Sequence, residues 1–262
     1  MTIAGFDPSG DAGIIADIRT IEVLGCTAVA AITSITFQNT RVYAGALHQN
    51  APSVRAQVEA IATEHEIAAL KIGMLPTAEI VREVARLIQE FHLPKPVIDP
   101  VMESTSGGKL MDDEAFELLV TELLPRSCVI TPNIPEAEKF AGLNILDEDS
   151  MRQAVARIRE LGARAVLIKG GHLKQESGVK RQKPEEEKRQ AVDVLDDEGE
   201  VTVFRDDWID ARNVRGTGCM LSSAIACGLA RGEALKSAVA TAKQFVTRTI
   251  QNSQFKIKTT RL

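Results

Sequence analysis

Aromatic side chains are scarce in this chain: one tryptophan, one tyrosine and eight phenylalanines among 262 residues. That leaves little for the stacking platforms that hold single-stranded nucleic acid. A formal net charge of -5 provides no general basic field either. No nucleic-acid partner is expected. Cysteine is sparse too. Cys26, Cys128, Cys219 and Cys227 form no C-x-x-C pair, and none stands near histidine at zinc-ligand spacing. The reading is a reduced, cytoplasmic protein with mostly buried thiols. No charged-then-apolar leader is visible and no apolar run is long enough for a bilayer, so no membrane partner is expected. Familiar motifs are missing as well. There is no G-x-x-x-x-G-K-[ST], no G-x-G-x-x-G after a strand, no G-x-S-x-G and no H-E-x-x-H.

What is present is a regular alternation. Short β-branched runs at Thr2–Phe6, Val29–Thr33, Ala69–Ile72, Val97–Asp99, Val129–Thr131 and Ala165–Ile168 read as buried strands. Helical patterns lie between them at Ala12–Leu24, Ser53–Thr63, Ala78–Phe91, Asp113–Leu123 and Glu148–Leu161. Two more, Gly218–Leu229 and Glu233–Ile250, close the chain. Such alternation predicts a mostly parallel sheet covered by helices on both faces. Residues 1–262 read as a single domain, since no linker or repeat interrupts them. The segment Leu173–Gln190 is almost wholly polar and rich in both charge signs, which predicts a solvated, flexible loop. After it, "AVDVLDDEGEVTVFRDD" alternates as a hairpin turning at Asp196–Gly199.

Ligands of open α/β sheets bind at the carboxyl ends of the strands. Here those ends run into "GFDPSGDAG", "SITFQNT", "KIGML", "DPVMESTSGG", "TPNIPEAE" and "KGGH". Nearly all are turn residues, yet the acids, the lysine and the bare glycines together suit phosphate handling. The stretch "NVRGTGCMLSSAIACGLARG" adds glycines before a long apolar helix. Backbone N–H groups at a helix N-terminus form an anion site, and glycine lets the ligand approach. A plain tight turn with a small buried Cys219 is the structural alternative. His48, His65 and His92 are scattered, whereas His172 sits beside Gly170 and Gly171.

Taken in order, "TIAGFDPSGDAGIIADIRT", "QNTR", "KIGML", "DPVM" with "SGGKL", "TPNIPEAE", "KGGH" and "GTGCMLSSAIA" resemble the hydroxymethylpyrimidine/phosphomethylpyrimidine kinases of thiamine biosynthesis, within the ribokinase superfamily. The resemblance spans Thr2 to about Asn252. It implies a ribokinase-like three-layer α/β/α fold, ATP with Mg2+, two successive phosphorylations of a small pyrimidine, and a homodimer. It implies that Gly216, Gly218 and Cys219 are catalytic, the thiol acting as base with a pKa lowered by the helix N-terminus. Gln38 is implied as the contact to the aminopyrimidine, with Ala12, Met74, Val101 and Asp17 around the same acceptor. Lys169, Asn133, Thr131 and Thr217 are implied for ATP, and Glu136 and Asp99 for the metal, usually through water.

Some positions depart from the family pattern. Arg215 stands where histidine is frequent, Met220 where threonine follows the cysteine, Asp11 where a second glycine is usual, and Thr105 where some members carry lysine. Two other functions therefore stay open at this level: a cysteine-bearing pyridoxal/pyridoxamine kinase, or a catalytically weak ligand-binding homologue.

Overall fold

The structure, a computed structural model, describes residues 1–39, 42–104, 107–171, 190–209 and 215–259, with side chains as far as Asn252. The charged loop expected at 173–190 lies outside the described residues up to 189, as do His172 and Thr105, while Gln190 already opens a strand.

Six strands run parallel through the centre: β1 (Thr2–Phe6), β2 (Ala30–Gln38), β4 (Lys71–Ile72), β5 (Val97–Ile98), β6 (Val129–Ile130) and β7 (Ala165–Gly170). Antiparallel β3 (Tyr43–His48) covers one edge, and the hairpin β8 (Gln190–Asp197) and β9 (Glu200–Asp207) covers the other. The order is β3-β2-β1-β4-β5-β6-β7-β8-β9. Side-chain alternation divides each central strand between two cores. Ile98, Ile130, Val166 and Ile168 face one; Val97, Val129, Ala165 and Leu167 face the other. The first core is closed by α2 (Ala51–Ala62), α3 (Ala78–Glu90), α4 (Asp113–Leu118), α5 (Ile134–Ala141) and α6 (Glu148–Glu160). On the second face lie α1 (Gly13–Val23), α7 (Thr217–Ala230) and α8 (Leu235–Thr259). The chain thus adopts the three-layer α/β/α arrangement that its alternation predicts.

The differences are local. The second strand runs to Gln38 rather than stopping at Thr33, because its outer half pairs with β3, an edge strand the pattern did not announce. The short α5 was also unforeseen; Pro135 lies in its first turn and a capping box fixes its start. Past Leu118, α4 loosens into a π-helical turn over Leu119–Leu123 instead of continuing as α-helix. At the hairpin, Glu198 and Gly199 both take positive φ (53° and 101°), the backbone a two-residue turn needs.

Candidate active site

The chain leaves β1 for α1 and β2 on one side, while β4 pairs on the other. This reversal of strand order opens a crevice at the carboxyl ends. A small cleft of about 60 Å3 occupies it. Its walls include Ala12, Gln38, Met74, Val101 and Cys219, five residues separated widely in sequence and grouped here by the fold. Met74 is held from two sides. Its carbonyl accepts from Thr33 Oγ1 at 2.6 Å, and a Cβ on Gly5 would lie 2.8 Å from its sulfur. Two buried acceptors among the lining residues have no partner within the described residues, Gln38 Oε1 and Asp7 Oδ2. An unpaired buried acceptor is costly, so each suits a donor brought by a ligand.

Helix capping points to the same place. The starts of α2 to α6 are closed by the side chains of Asn50, Thr77, Asp112, Asn133 and Asp147. By contrast α1 and α7, whose N-cap positions are Ala12 and Gly216, have no side-chain cap. The positive dipole ends of both helices face this place; the first α1 N–H, that of Gly13, is directed at the Cys219 sulfur, which leaves the α7 start for an anion. Gly216 has φ +73°, and a Cβ there would stand 2.0 Å from the Asp11 carbonyl oxygen. The two glycine-bearing loops therefore press backbone to backbone, which no larger residue permits. Arg215 ties the same loop to the end of β2, Nη1 donating to the Asn39 carbonyl at 2.7 Å.

Cys219 lies in the first turn of α7, at the cleft wall. The expected lowering of its pKa is not found. Burial pushes the thiol up to about 12, and the Lys71 ammonium and a Gly13 N–H directed at the sulfur only partly oppose this. A helix N-terminus acts over a short range, and here desolvation outweighs it. Asp17 is not among the cleft-lining residues. It is fully buried, accepting from Thr2 Oγ1 (2.6 Å), Ser223 Oγ (2.9 Å) and Lys71 Nζ (2.8 and 3.0 Å). Lys71 itself, only 1% exposed, does line the cleft. Burial works to lower its pKa, and Asp17 more than reverses that. No role was read for Lys71 from the sequence; a lysine inside the apolar run "AALKIGML" was the available signal.

A second ion pair lies beside the α7 start. Lys169 Nζ is 2.8 Å from Asp99 Oδ1, and Gly218 sits so close that an added Cβ would be 3.2 Å from Nζ. Burial works against both charges; each partner holds the other ionised. Glu136 is pushed up to about 7, first by burial and then by Asp99, with Lys169 opposing. Its Oε2 accepts the Asn133 N–H at 2.8 Å while Asn133 Oδ1 accepts the Glu136 N–H at 2.9 Å. The N-x-x-E pattern is thus also a capping box for α5. Thr131 is fully buried with its hydroxyl on the Ile98 carbonyl, whereas Thr217 opens α7 and is partly exposed.

A family model described as phosphomethylpyrimidine kinase matches residues 7–261. The hydroxymethylpyrimidine/phosphomethylpyrimidine kinase of Streptomyces coelicolor is 39% identical over 94% of this chain and 86% of that protein. Thiamine biosynthesis bifunctional protein ThiED of Geobacter sulfurreducens is 39% identical over 97% of this chain, which spans 49% of that longer protein. Among solved structures, a phosphomethylpyrimidine kinase from Clostridium difficile superposes with a TM-score of 0.79 at 37% identity, covering 95% and 97% of the two chains. A pyridoxal kinase from Staphylococcus aureus in complex with AMP-PCP and pyridoxal gives 0.83 at 28% identity, covering 96% and 87%.

Proposed function

Because the chain belongs to the phosphomethylpyrimidine kinase family, we propose that its cleft takes 4-amino-5-hydroxymethyl-2-methylpyrimidine, and then its monophosphate, as acceptors of the γ-phosphate of ATP. The observation that carries this reading is the meeting of two helix starts without side-chain caps, a lysine–aspartate pair and a cleft with an unpaired Gln38 acceptor. The Gln38 carboxamide accepts from the ring amino group and donates to a ring nitrogen, while Ala12, Met74 and Val101 wall the ring. Asp17 acts behind them, through Lys71.

Phosphoryl transfer asks for positioning and charge stabilisation rather than covalent help. The N–H groups of Gly218 and Cys219 hold the migrating phosphoryl oxygens, and Gly216 supplies the turn that aims them. Lys169 neutralises phosphate charge, and Asn133, Thr131 and Thr217 frame the nucleotide end. Cys219 holds the reacting hydroxyl. It acts as base only once the sulfur has lost its own proton, and Lys71 is the group favouring that loss.

Magnesium is part of the proposal. No cluster of three or more His, Cys, Asp or Glu able to hold a metal exists among the described residues. The residues that would hold a hydrated Mg2+ are the carboxylates of Glu136 and Asp99, which lie close enough to feel each other's charge and that of Lys169. The metal would supply neutralisation of charge on the phosphates.

A cytoplasmic homodimer belongs to the same proposal, supported by the exposed Phe37, Val42 and Leu47 around the β2–β3 edge. No described helix is long and apolar enough to cross a membrane. The test is ADP release with ATP and magnesium, offering hydroxymethylpyrimidine, its monophosphate and pyridoxal in parallel. Turnover on both pyrimidines is expected; turnover on pyridoxal alone overturns the assignment.

A further inference from the structure

We infer that Lys71 is a catalytic residue of the acceptor side, its ammonium holding the phosphate of a phosphomonoester acceptor during the second transfer. The inference rests on the pyrimidine-kinase reading above and gives one residue a specific step within it.

Three observations carry it. Lys71 is the one cation among the described residues that line the cleft, and it shares that lining with Cys219. Its position is built from four elements. Asp17 on α1 receives Nζ, and Thr2 on β1 and Ser223 on α7 donate their hydroxyls to the same carboxylate. Ser223 stands four residues after Cys219, one turn further along the same helix face, so the ion pair lies under the reactive end of the cleft. Finally, Gly73 leaves room for the ammonium, since a Cβ there would stand 2.8 Å from Nζ.

A lysine used only to neutralise Asp17 has no need to reach the cleft wall. The two hydroxyl donors share the Asp17 carboxylate with Lys71, so the acid's charge is spread over three partners rather than spent on the ammonium alone. Among the described residues its hydrogen bonds go to Asp17 alone, and an ammonium carries three donors.

In the first transfer the acceptor is a neutral hydroxymethyl group. In the second it is an anion that must approach the negative γ-phosphate. One acceptor oxygen attacks the γ-phosphorus, a new P–O bond forms, the bond to the bridging oxygen breaks and ADP leaves; a dianionic acceptor has no proton to lose. Lys71 donates to an oxygen that does not attack. Its contribution is therefore larger for the monophosphate than for the alcohol.

The test compares the wild-type chain with the double variant Lys71→Met/Asp17→Asn, which removes both buried charges and leaves an amide oxygen for Thr2 and Ser223. Melting temperature verifies folding, and kcat/KM is measured for hydroxymethylpyrimidine and for its monophosphate. The expected result is a folded variant that loses about 10²–10³-fold on the monophosphate and about tenfold on the alcohol. Equal losses on both acceptors, or monophosphate turnover within threefold of wild type, overturn the assignment. Should the double variant fail to fold, Lys71→Gln, which keeps a donor without the charge, is read by the same ratio. A wild-type chain inactive on both pyrimidines refutes the kinase reading instead, and the Lys71 assignment falls with it.

Discussion

Replacing Gly218 by alanine should separate stability from activity. Gly218 is the second residue of α7 and does not use left-handed backbone. An alanine there is compatible with the helix and favours it by about 0.5–1 kcal/mol over glycine. In a chain of this size that corresponds to a rise in melting temperature of about 1–4 °C. The added Cβ, however, would stand 3.2 Å from Lys169 Nζ and 3.6 Å from Asp99 Oδ2. Lys169 must yield by a few tenths of an ångström, beside the α7 N–H groups that the proposed mechanism uses to hold phosphoryl oxygens. Blocking one donor of such a site costs about 10²–10³-fold in kcat. Differential scanning fluorimetry gives the first quantity and coupled ADP release the second. An unchanged or raised melting temperature with a hundredfold slower enzyme is the expected pair. A variant within twofold of wild-type kcat would remove Gly218 from the anion site, and a melting temperature lowered by more than about 4 °C would refute the stability half.

At Gly216 the same substitution should act differently. Its φ of +73° and the 2.0 Å approach of a new Cβ to the Asp11 carbonyl make alanine strained and clashing, so stability should fall by about 1–3 kcal/mol together with turnover. Cys219 should react with iodoacetamide about a thousandfold more slowly at pH 8 than an exposed cysteine, because burial holds its thiol near 12. Peptide mapping by mass spectrometry should show a rate still rising above pH 10, and a plateau below pH 9 would contradict the buried-thiol account. Glu136 binds its proton more tightly folded (about 7) than unfolded (4.5), so the native state holds the extra proton between those values. Stability from this group is full below about pH 4.5 and is lost as pH rises through about 7. Melting temperature should therefore drop more between pH 5 and pH 8 in the wild type than in Glu136→Gln, and identical drops would show that Glu136 does not titrate there.

The sheet was legible because its central strands are buried on both faces and its helices are amphipathic, patterns that survive in a single sequence. The ends of β1, α3 and α6 fell within a residue or two of their observed limits for that reason. What escaped depends on partners far along the chain. The outer half of β2 is strand because β3 pairs with it, and α5 starts where Asn133 and Glu136 cap each other rather than where apolar periodicity begins. In the site, motif positions gave Ala12, Gln38, Met74, Val101 and Cys219, which do share one cleft. The state of the thiol was not legible, since its pKa depends on how far water is excluded, a property of packing rather than of neighbours in sequence.

Lys71 and Lys169 show how charge is stored at this sheet edge. Each sits on a central strand, β4 or β7, and each is paired with a buried acid, Asp17 or Asp99. Adjacent residues of α7 address them in turn, Gly218 lying against the Lys169 pair and Cys219 sensing the Lys71 pair. In the free protein both lysines are charge-balanced, which is what makes one buried and one half-buried ammonium group tolerable in one fold. In the proposed reaction an incoming phosphate would meet cations already fixed in place, with little reorganisation left for the moment of transfer. Removing either acid alone leaves a buried lysine without its counter-charge, so Asp17→Asn should destabilise the protein even though Asp17 never lines the cleft. Its damage should appear first as a lowered melting temperature and a depressed Lys71 pKa, with loss of turnover following from both.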